Sequence, residues 1–564
     1  MFSQMTSLLY VTAYLYDADN LPMKHPEFAM EHLRTLSRQL SPYRLVVFVL
    51  DTGESTVREL VAPYGHVTIV PLALDDLWTW RTLGNTNYEL PQHRNPQKDT
   101  RDHLWRTHAC VELAHRATEL FADTTHICWL NFTVPYLFRE SDETFDHLRK
   151  LAQWQLAPKM LAMPGCETSP MTPSDQQICW RFCGAVFWGD TQSINEFYHT
   201  YCRELPPFLE AHKVLPWEVN FWAYVESRGA RVLAGAWYAG NHDDSILTGL
   251  PPKYYTKCLV DAPSFCKTTY EYPAITDMRP TSSAFLQLQD GRRILNTRYV
   301  NYWLYPNGSY RYPNGSYRYP TNQRIIANTN MLCHIDDMWM PTSFRQMKEN
   351  LDLTEHEGAY SRGLEDIRLY EYDGKIKCIA TNVNYMSSGR NRMILGNYCL
   401  ATGEITDGHR LEPPQDSWCE KNWIPVEYGG QEAFIYQWWP MQIGIVDKSD
   451  KLVIVQEHVL TNPLFRRVRG STLFLPQTGK SSLIGVVHFS EEGSPRKYFH
   501  MLVELDGETL MPMSYSQPFC FESLGVEFCI GFAHTQNEYI FWISRMDRDP
   551  CMIRVAKEEL ILFT

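Results

Sequence analysis

The stretch SRGLEDIRLYEYDG, residues 361–374, places two adjacent carboxylates, Glu365 and Asp366, just before Arg368. Breaking a glycosidic bond needs a carboxylic acid that can protonate the leaving oxygen. Adjacent side chains of an extended chain point to opposite faces, so one of the pair can face a cleft while the other supports it. Arg368 falls on the face of Asp366, where its guanidinium can hold that carboxylate or an incoming anion in a two-pronged contact. The densest basic cluster, Arg466, Arg467 and Arg469 in NPLFRRVRGST, offers a second place for an anion. A surface ion pair and a solvated charged turn are the plain readings of these two groups.

The elements that must carry these residues change character along the chain. The first half alternates strand and helix: SLLYVTAYLYD, a helix from Pro26 to Leu40, YRLVVFVLD, VTIVPLAL, a long helix from Thr100 to Phe121, THICWLNF, FCGAVFWGD, and a helix from Thr191 to Leu205. That alternation predicts an α/β domain over residues 1–255 with a mostly parallel sheet, and ligands at the carboxyl ends of its strands. A Pro- and Tyr-rich linker is expected over 256–279. Beyond it helical periodicity almost vanishes. Short strands recur around turns, as in LQLQDGRR, YEYDGKIKCIATNV, MQIGIVDKSDKLVIV and MLVELDGETL, and Asp-Gly between alternating runs signals a hairpin. Many short, evenly spaced strands predict an all-β domain over 280–564, a sandwich or a propeller, with five blades fitting its length. The heptapeptide YPNGSYR occurs twice in succession, at Tyr305–Arg311 and Tyr312–Arg318, each copy an Asn-Gly turn.

Composition narrows the function classes. A length of 564 residues implies two or three domains. The net charge of −13 argues against a general nucleic-acid coat, which needs a basic footprint. The 15 cysteines are scattered without a C-x-x-C pair, and most read as buried thiols of a reducing compartment. No secretory leader and no apolar run of membrane-spanning length is visible, so a cytoplasmic location is expected. Sequons stand at Asn307 and Asn314. Aromatic residues make up 13%, and such rings suit the flat apolar faces of sugars.

GLEDIRLYEYDGKIKCIATNV resembles the G-x-E-D-P-R segment of the mannoside phosphorylases and related mannosyltransferases, glycoside hydrolase family 130, which are five-bladed propellers. The resemblance continues in order through GVVHFSEEGSPRKYFHMLVELD, SQPFCFESLGVEFCIGFAH and WISRMDRDPCMIRV. It implies that Asp366 is the proton donor, acting through a sugar hydroxyl. His488 would line the anion or leaving-group region with Arg368 and Arg469, and Asp547 would bind sugar hydroxyls. Glu365 would support the site, and Glu527 or Asp547 would be the second carboxylate that hydrolysis needs. The chain departs from that pattern at Ile367, where the family has Pro, and at Phe489 after His488, where it has Gly.

The first half is similar to the HtrL/YibB-type family, which looks like an A-type glycosyltransferase, through SLLYVTAYLYD, LWRTHACVELAHRATELF, THICWLNF, FCGAVFWGDTQSINEFYHTYCREL, LPWEVNFWAYV and WYAGNHDDSIL. Such enzymes hold manganese or magnesium on acidic residues, because the donor diphosphate needs charge neutralisation. Asn131 stands at the position of an acidic metal ligand, Asp243 and Asp244 could add ligands from the closing loop, and Glu218 is a candidate base for an acceptor hydroxyl. The second half needs no cofactor. The implied partners are a nucleotide sugar or sugar phosphate and an oligosaccharide acceptor. Two functions stay open: a glycan-synthesising or glycan-remodelling enzyme, and a non-catalytic glycan-binding or structural protein built from degenerate enzyme domains.

Overall fold

The computed structural model describes residues 7–16, 26–168, 176–302, 304, 325–356, 361–386, 388–493 and 495–564. The duplicated YPNGSYR, with the sequons at Asn307 and Asn314, lies outside the described residues. The chain divides into two compact units: residues 1–255 with 461–463, and residues 256–460 with 464–564.

The first unit is an α/β domain. Its strands are β1 (Leu8–Tyr14), β2 (Leu45–Leu50), β3 (Val67–Leu72), β4 (His126–Leu130), β5 (Leu161–Gly165), β6 (Val186–Asp190) and β7 (Trp237–Ala239). They form one sheet in the order β3-β2-β1-β4-β6-β5-β7. β1 runs parallel to β2 and to β4, as do β2 to β3 and β5 to β7, while β6 is antiparallel to both neighbours. β1, β2 and β4 are buried throughout, as the doubly covered strands of such a sheet must be. Chain order reverses between β1 and β4, which makes their carboxyl ends the switch point of the sheet. Helix Arg101–Leu120 starts where expected, with the Thr100 side chain accepting from the His103 N–H. Helix Thr191–His212 runs past its expected end at Leu205, through Pro206 and Pro207. Burial of Phe208 and Leu209 offsets the backbone bonds the prolines remove. Among the described residues, no helix is long and apolar enough to cross a membrane.

The second unit is a propeller-like arrangement of β-sheets, five among the described residues. Sheet I is Arg279–Gln287, Arg293–Val300, Ile326–Ile335 and Pro341–Gln346, with Ser361–Arg362 beside the third strand. Sheet II is Glu365–Tyr372, Lys375–Asn382, Arg392–Cys399 and Glu404–Leu411, with Lys348–Asn350 on its outer edge. Sheet III is Ile424–Tyr428, Gln431–Trp438, Met441–Val446 and Leu452–His458. Sheet IV is larger, eight-stranded, and built on the pair Ser482–Glu491 and Lys497–Asp506. Sheet V is Glu527–His534, Glu538–Arg545 and Arg548–Ala556. Neighbouring sheets touch through their inner strands in this order, and strand Arg279–Gln287 of sheet I touches both sheet II and sheet V.

The segment expected as a linker belongs to this unit. Lys257–Cys258 pairs with Phe519–Cys520 of sheet IV, and Cys266–Thr268 adds the outer strand of sheet V. The first segments of this unit are thus woven into the sheets built by its last strands, which satisfies edges that would otherwise be open. The Asp-Gly signal is realised where Tyr372 pairs with Lys375 around Asp373 and Gly374, both at positive φ (51° and 67°). Nine of the fifteen cysteines are buried and all are free thiols.

Candidate functional site

A cavity of about 290 Å³ opens where the five sheets meet. Sheet I supplies Arg298 and Tyr302, sheet II Glu365 and Asp366, and the segment entering sheet III Lys421 and Asn422. Sheet IV brings Arg469, His488, Arg496 and Tyr498, and sheet V brings Phe528 and Asp547. Its volume is near the lower end for small-molecule sites, and its walls are charged and aromatic rather than greasy.

Glu365 and Asp366 both line this cavity, against the alternation rule. The ladder between Glu365–Tyr372 and Lys375–Asn382 carries a bulge: Glu365 faces Thr381, yet Arg368 faces Ile379. Asp366 sits at a φ of 52° and turns its carboxylate to the same side as Glu365, while Ile367 fills the core. The preceding turn needs glycine at 363, where φ is 77° and a Cβ would lie 2.2 Å from the Asn328 carbonyl oxygen.

Arg298 organises the two acids. Its Nη1 donates to Asp366 Oδ1 at 2.9 Å, its Nη2 lies 3.6 Å from Glu365 Oε2, and its Nε donates to Asn328 Oδ1 at 2.8 Å. Lys421 Nζ lies 4.0 Å from Glu365 Oε2. Burial pushes the Asp366 carboxyl up, but the charges of Arg298, Lys421 and Arg368 outweigh it and hold it below the usual carboxylate range. Asp547 is shifted the other way. Burial raises it, and the negative charges of Asp366 and Glu365 add to that; the charge of Arg298 and the hydrogen bond from the Tyr302 hydroxyl at 3.1 Å only partly offset them. One cavity therefore holds two carboxyls shifted in opposite directions, Asp366 down and Asp547 up.

His488 is 5% exposed, and its Nδ1 has no hydrogen-bond partner among the described residues. Burial and the nearby His500, Arg368 and Arg469 keep its ring neutral at pH 7. Its neighbour Phe489 faces the opposite side of the strand, fully buried and stacked on Phe499 at 5.0 Å, so the exchange of Gly for Phe there does not narrow the cavity. Arg469 pairs with His488 across the ladder and lines the cavity, with no acidic partner among the described residues.

Two residues singled out in the sequence serve elsewhere. Arg368 is 1% exposed and does not line the cavity. Its donors go to the carbonyls of Ser471, Gly470 and Asp366 and to Asn422 Oδ1, so it ties sheet II to the strand that carries Arg469. Glu527 is equally buried and accepts the backbone N–H groups of Phe521, Glu522 and Ser523, clamping a loop. Arg298, Lys421, Tyr302, Arg496 and Tyr498 were not singled out. Arg298 carried one signal: a second arginine, deep inside the strand RILNTRYV whose first residue is Arg293.

In the first unit, Asn131 and Glu218 meet at the switch point between β1 and β4, lining a cavity of about 40 Å³ with Tyr16, Arg106 and Phe132. That is room for a water or two. Arg106 fills the mouth, stacked over Tyr16 at 4.8 Å and paired with Asp102. Burial raises the Glu218 carboxyl. Asn131 Oδ1 accepts from the Thr133 N–H and hydroxyl at 3.0 and 2.8 Å. Asp243 and Asp244 do not line this cavity. Asp243 accepts from the Ser245 N–H at 2.9 Å, and Asp244 accepts from the Arg139 and Glu140 N–H groups and the Thr144 hydroxyl at the start of helix Ser141–Gln153. Among the described residues no group of three His, Cys, Asp or Glu could hold a metal ion. Asn131, Asp243 and Asp244 are thus not brought together as ligands for one divalent ion.

Fold and site together define a propeller-like β unit with an acid pair and cationic walls where its sheets converge. No family model matches the chain, and no curated protein does. Among solved structures, β-1,2-mannobiose phosphorylase from Listeria innocua is 10% identical over 52% of this chain and 97% of its own, with a TM-score of 0.35. A GDP-Man-dependent mannosyltransferase from Leishmania mexicana is 12% identical over 52% of this chain and 90% of its own, with a TM-score of 0.34. A mannose phosphorylase from the same organism, in complex with phosphate ion, is 10% identical over 54% and 93%, with a TM-score of 0.33. At that degree of likeness the chemistry is read from the cavity itself.

Proposed function

We propose that this protein is a carbohydrate-active enzyme whose second unit is a five-bladed propeller that cleaves a glycosidic bond at its axial cavity. The observation that carries this reading is the pair of carboxyls in one cavity pushed in opposite directions: Asp366 down, bonded to Arg298, and Asp547 up, bonded to the Tyr302 hydroxyl. Pairs whose surroundings push their pKa values apart mark acid and base roles. Asp547 is then the proton donor to the leaving oxygen. Asp366, ionised and fixed by Arg298, holds a sugar hydroxyl and stabilises charge at the anomeric carbon. This exchanges the roles that the family resemblance of GLEDIR implies. The guanidinium of Arg469, beside the neutral ring of His488, suits an anionic nucleophile, and phosphate fits that place: it attacks the anomeric carbon, the glycosidic bond breaks, and the leaving oxygen takes the Asp547 proton. The products are a sugar phosphate and a shortened glycan. The sequence resemblance to mannoside phosphorylases supports a mannoside as substrate. A nucleotide sugar remains the ligand to try on the first unit.

The test is turnover of manno-oligosaccharides with inorganic phosphate, read as sugar phosphate released. Asp547→Asn should lose about 10²–10⁴-fold. An aryl mannoside, whose leaving group needs no proton, should restore Asp547→Asn and leave Asp366→Asn inactive. Rescue of Asp366→Asn instead would return the acid role to Asp366, and no product from any mannoside would end the reading.

A further inference from the structure

A second concavity of about 490 Å³ adjoins the cavity without sharing a lining residue with it. The two share walls. On the turn between the last two long strands of sheet V, Asp547 lines the cavity while Arg545, Arg548 and Asp549 line the groove. On the first strand of sheet I, Ser282 lines the cavity and Arg279 the groove. The turn is held in a fixed shape, with Met546, Asp547 and Asp549 all at positive φ.

The groove is basic in an acidic protein. Lys267, Arg279, Arg545 and Arg548 face it, against Asp549 and the nearby Glu522, leaving an excess of two positive charges where the whole chain carries −13. Lys267 and Arg545 share Glu522 at 2.6 and 3.0 Å, and Arg548 lies 3.5 Å from Asp549. Their side chains are 36%, 42% and 45% exposed. Exposed pairs of this kind are weak, so the cations can turn to ligand oxygens at little cost. Tyr272, half-buried, adds a ring to the same wall.

We propose that this groove is an extended subsite for an anionic portion of the glycan, an oligosaccharide carrying phosphate or sulfate esters whose reacting end sits in the cavity beside Asp547. The inference rests on the cavity reading above and names the substrate class it prefers. A chain leaving the cavity over the turn meets the four cations next. Acidic glycans are repelled by most of this protein's surface and attracted here, which steers them to the site.

The experiment measures binding and turnover of one manno-oligosaccharide in neutral, phosphorylated and sulfated forms, by the intact protein and by the double variant Arg279→Gln, Arg548→Gln. These exposed side chains take no part in the acid pair, and an unchanged melting temperature confirms folding. The intact protein should bind both esters about tenfold or more tighter than the neutral form, with the advantage shrinking as salt rises from about 50 to about 300 mM. The double variant should lose that advantage and keep its affinity and turnover for the neutral form. Equal binding of neutral and esterified forms, or an unchanged preference in the double variant, would overturn the groove. So would an oligonucleotide of equal charge binding tighter than either ester. Failure of the cavity reading looks different: the neutral form is then not turned over at all.

Discussion

Replacing Arg298 by Met tests the electrostatics of the cavity most directly. The residue is 8% exposed, and Met approximates its length without charge or donors. The change removes the 2.9 Å bond to Asp366 and the 3.6 Å contact to Glu365, leaving Lys421 as the cation nearest Glu365. Removing one partner of a buried ion pair costs about 3–5 kcal/mol when the orphaned charge cannot escape. Here it can escape by binding a proton, and this gives the cost a pH signature. In the native protein the Asp366 pKa is depressed, so its contribution to stability is present above the unfolded value of about 3.9 and is lost as pH falls through the folded value. In Arg298→Met, burial, the largest influence on this carboxyl, is opposed only by the charges of Lys421 and Arg368, and the folded pKa is expected above the unfolded one. The sign then reverses: stability is intact below the unfolded value and is lost as pH rises through the folded value. The gap between the two proteins should therefore widen with pH by about 1.4 kcal/mol per unit and per proton, from about 1–2 kcal/mol near pH 4 to about 3–5 kcal/mol at pH 7.5. Urea titrations of the whole chain at both pH values measure it. A gap of equal size at the two ends would show that Arg298 contributes packing alone and that Asp366 is not held ionised by it.

Two further outcomes follow from the same coordinates. Burial pushes His108 and His147 down to about 4 and His500 down to about 3. Their folded pKa values lie below the unfolded one, so the stability they confer is present above about pH 6.5 and falls by about 3 kcal/mol each as pH drops to about 4. His500→Phe, set among Phe519 and Phe521, should remove one proton from that slope, and an unchanged slope in melting against pH would contradict it. Gly363→Ala should cost more than about 1 kcal/mol, because an alanine there meets both an unfavourable φ and the Asn328 carbonyl. Since Asn328 also orients Arg298, turnover should fall with stability, and a variant that melts as the native protein does would refute the strain.

Local structure was written in the residues themselves. Asp373–Gly374 makes its hairpin because few other pairs accept two positive φ values, Thr100 and Asp190 cap the helices that follow them, and alternating apolar runs became strands. The acidic pair at 365–366 was equally legible as chemistry. Its geometry was not, because sequence spacing assumes a regular strand and one extra residue in the ladder turned both carboxylates to one side. Arg368 reads as a site residue by its spacing, yet its donors are spent on backbone carbonyls of strands about a hundred residues away. Glu527 is likewise spent on backbone groups, though on those of the loop a few residues before it. Residues 256–279 read as a linker because Pro and Tyr interrupt the pattern, and became strands because late segments of the chain offered unpaired edges. What one strand's residues prefer is local and can be read in order. Which charges meet, and so which carboxyl keeps its proton, depends on Arg298, Asp366, His488 and Asp547 arriving from four different sheets, and only the closed tertiary structure decides that.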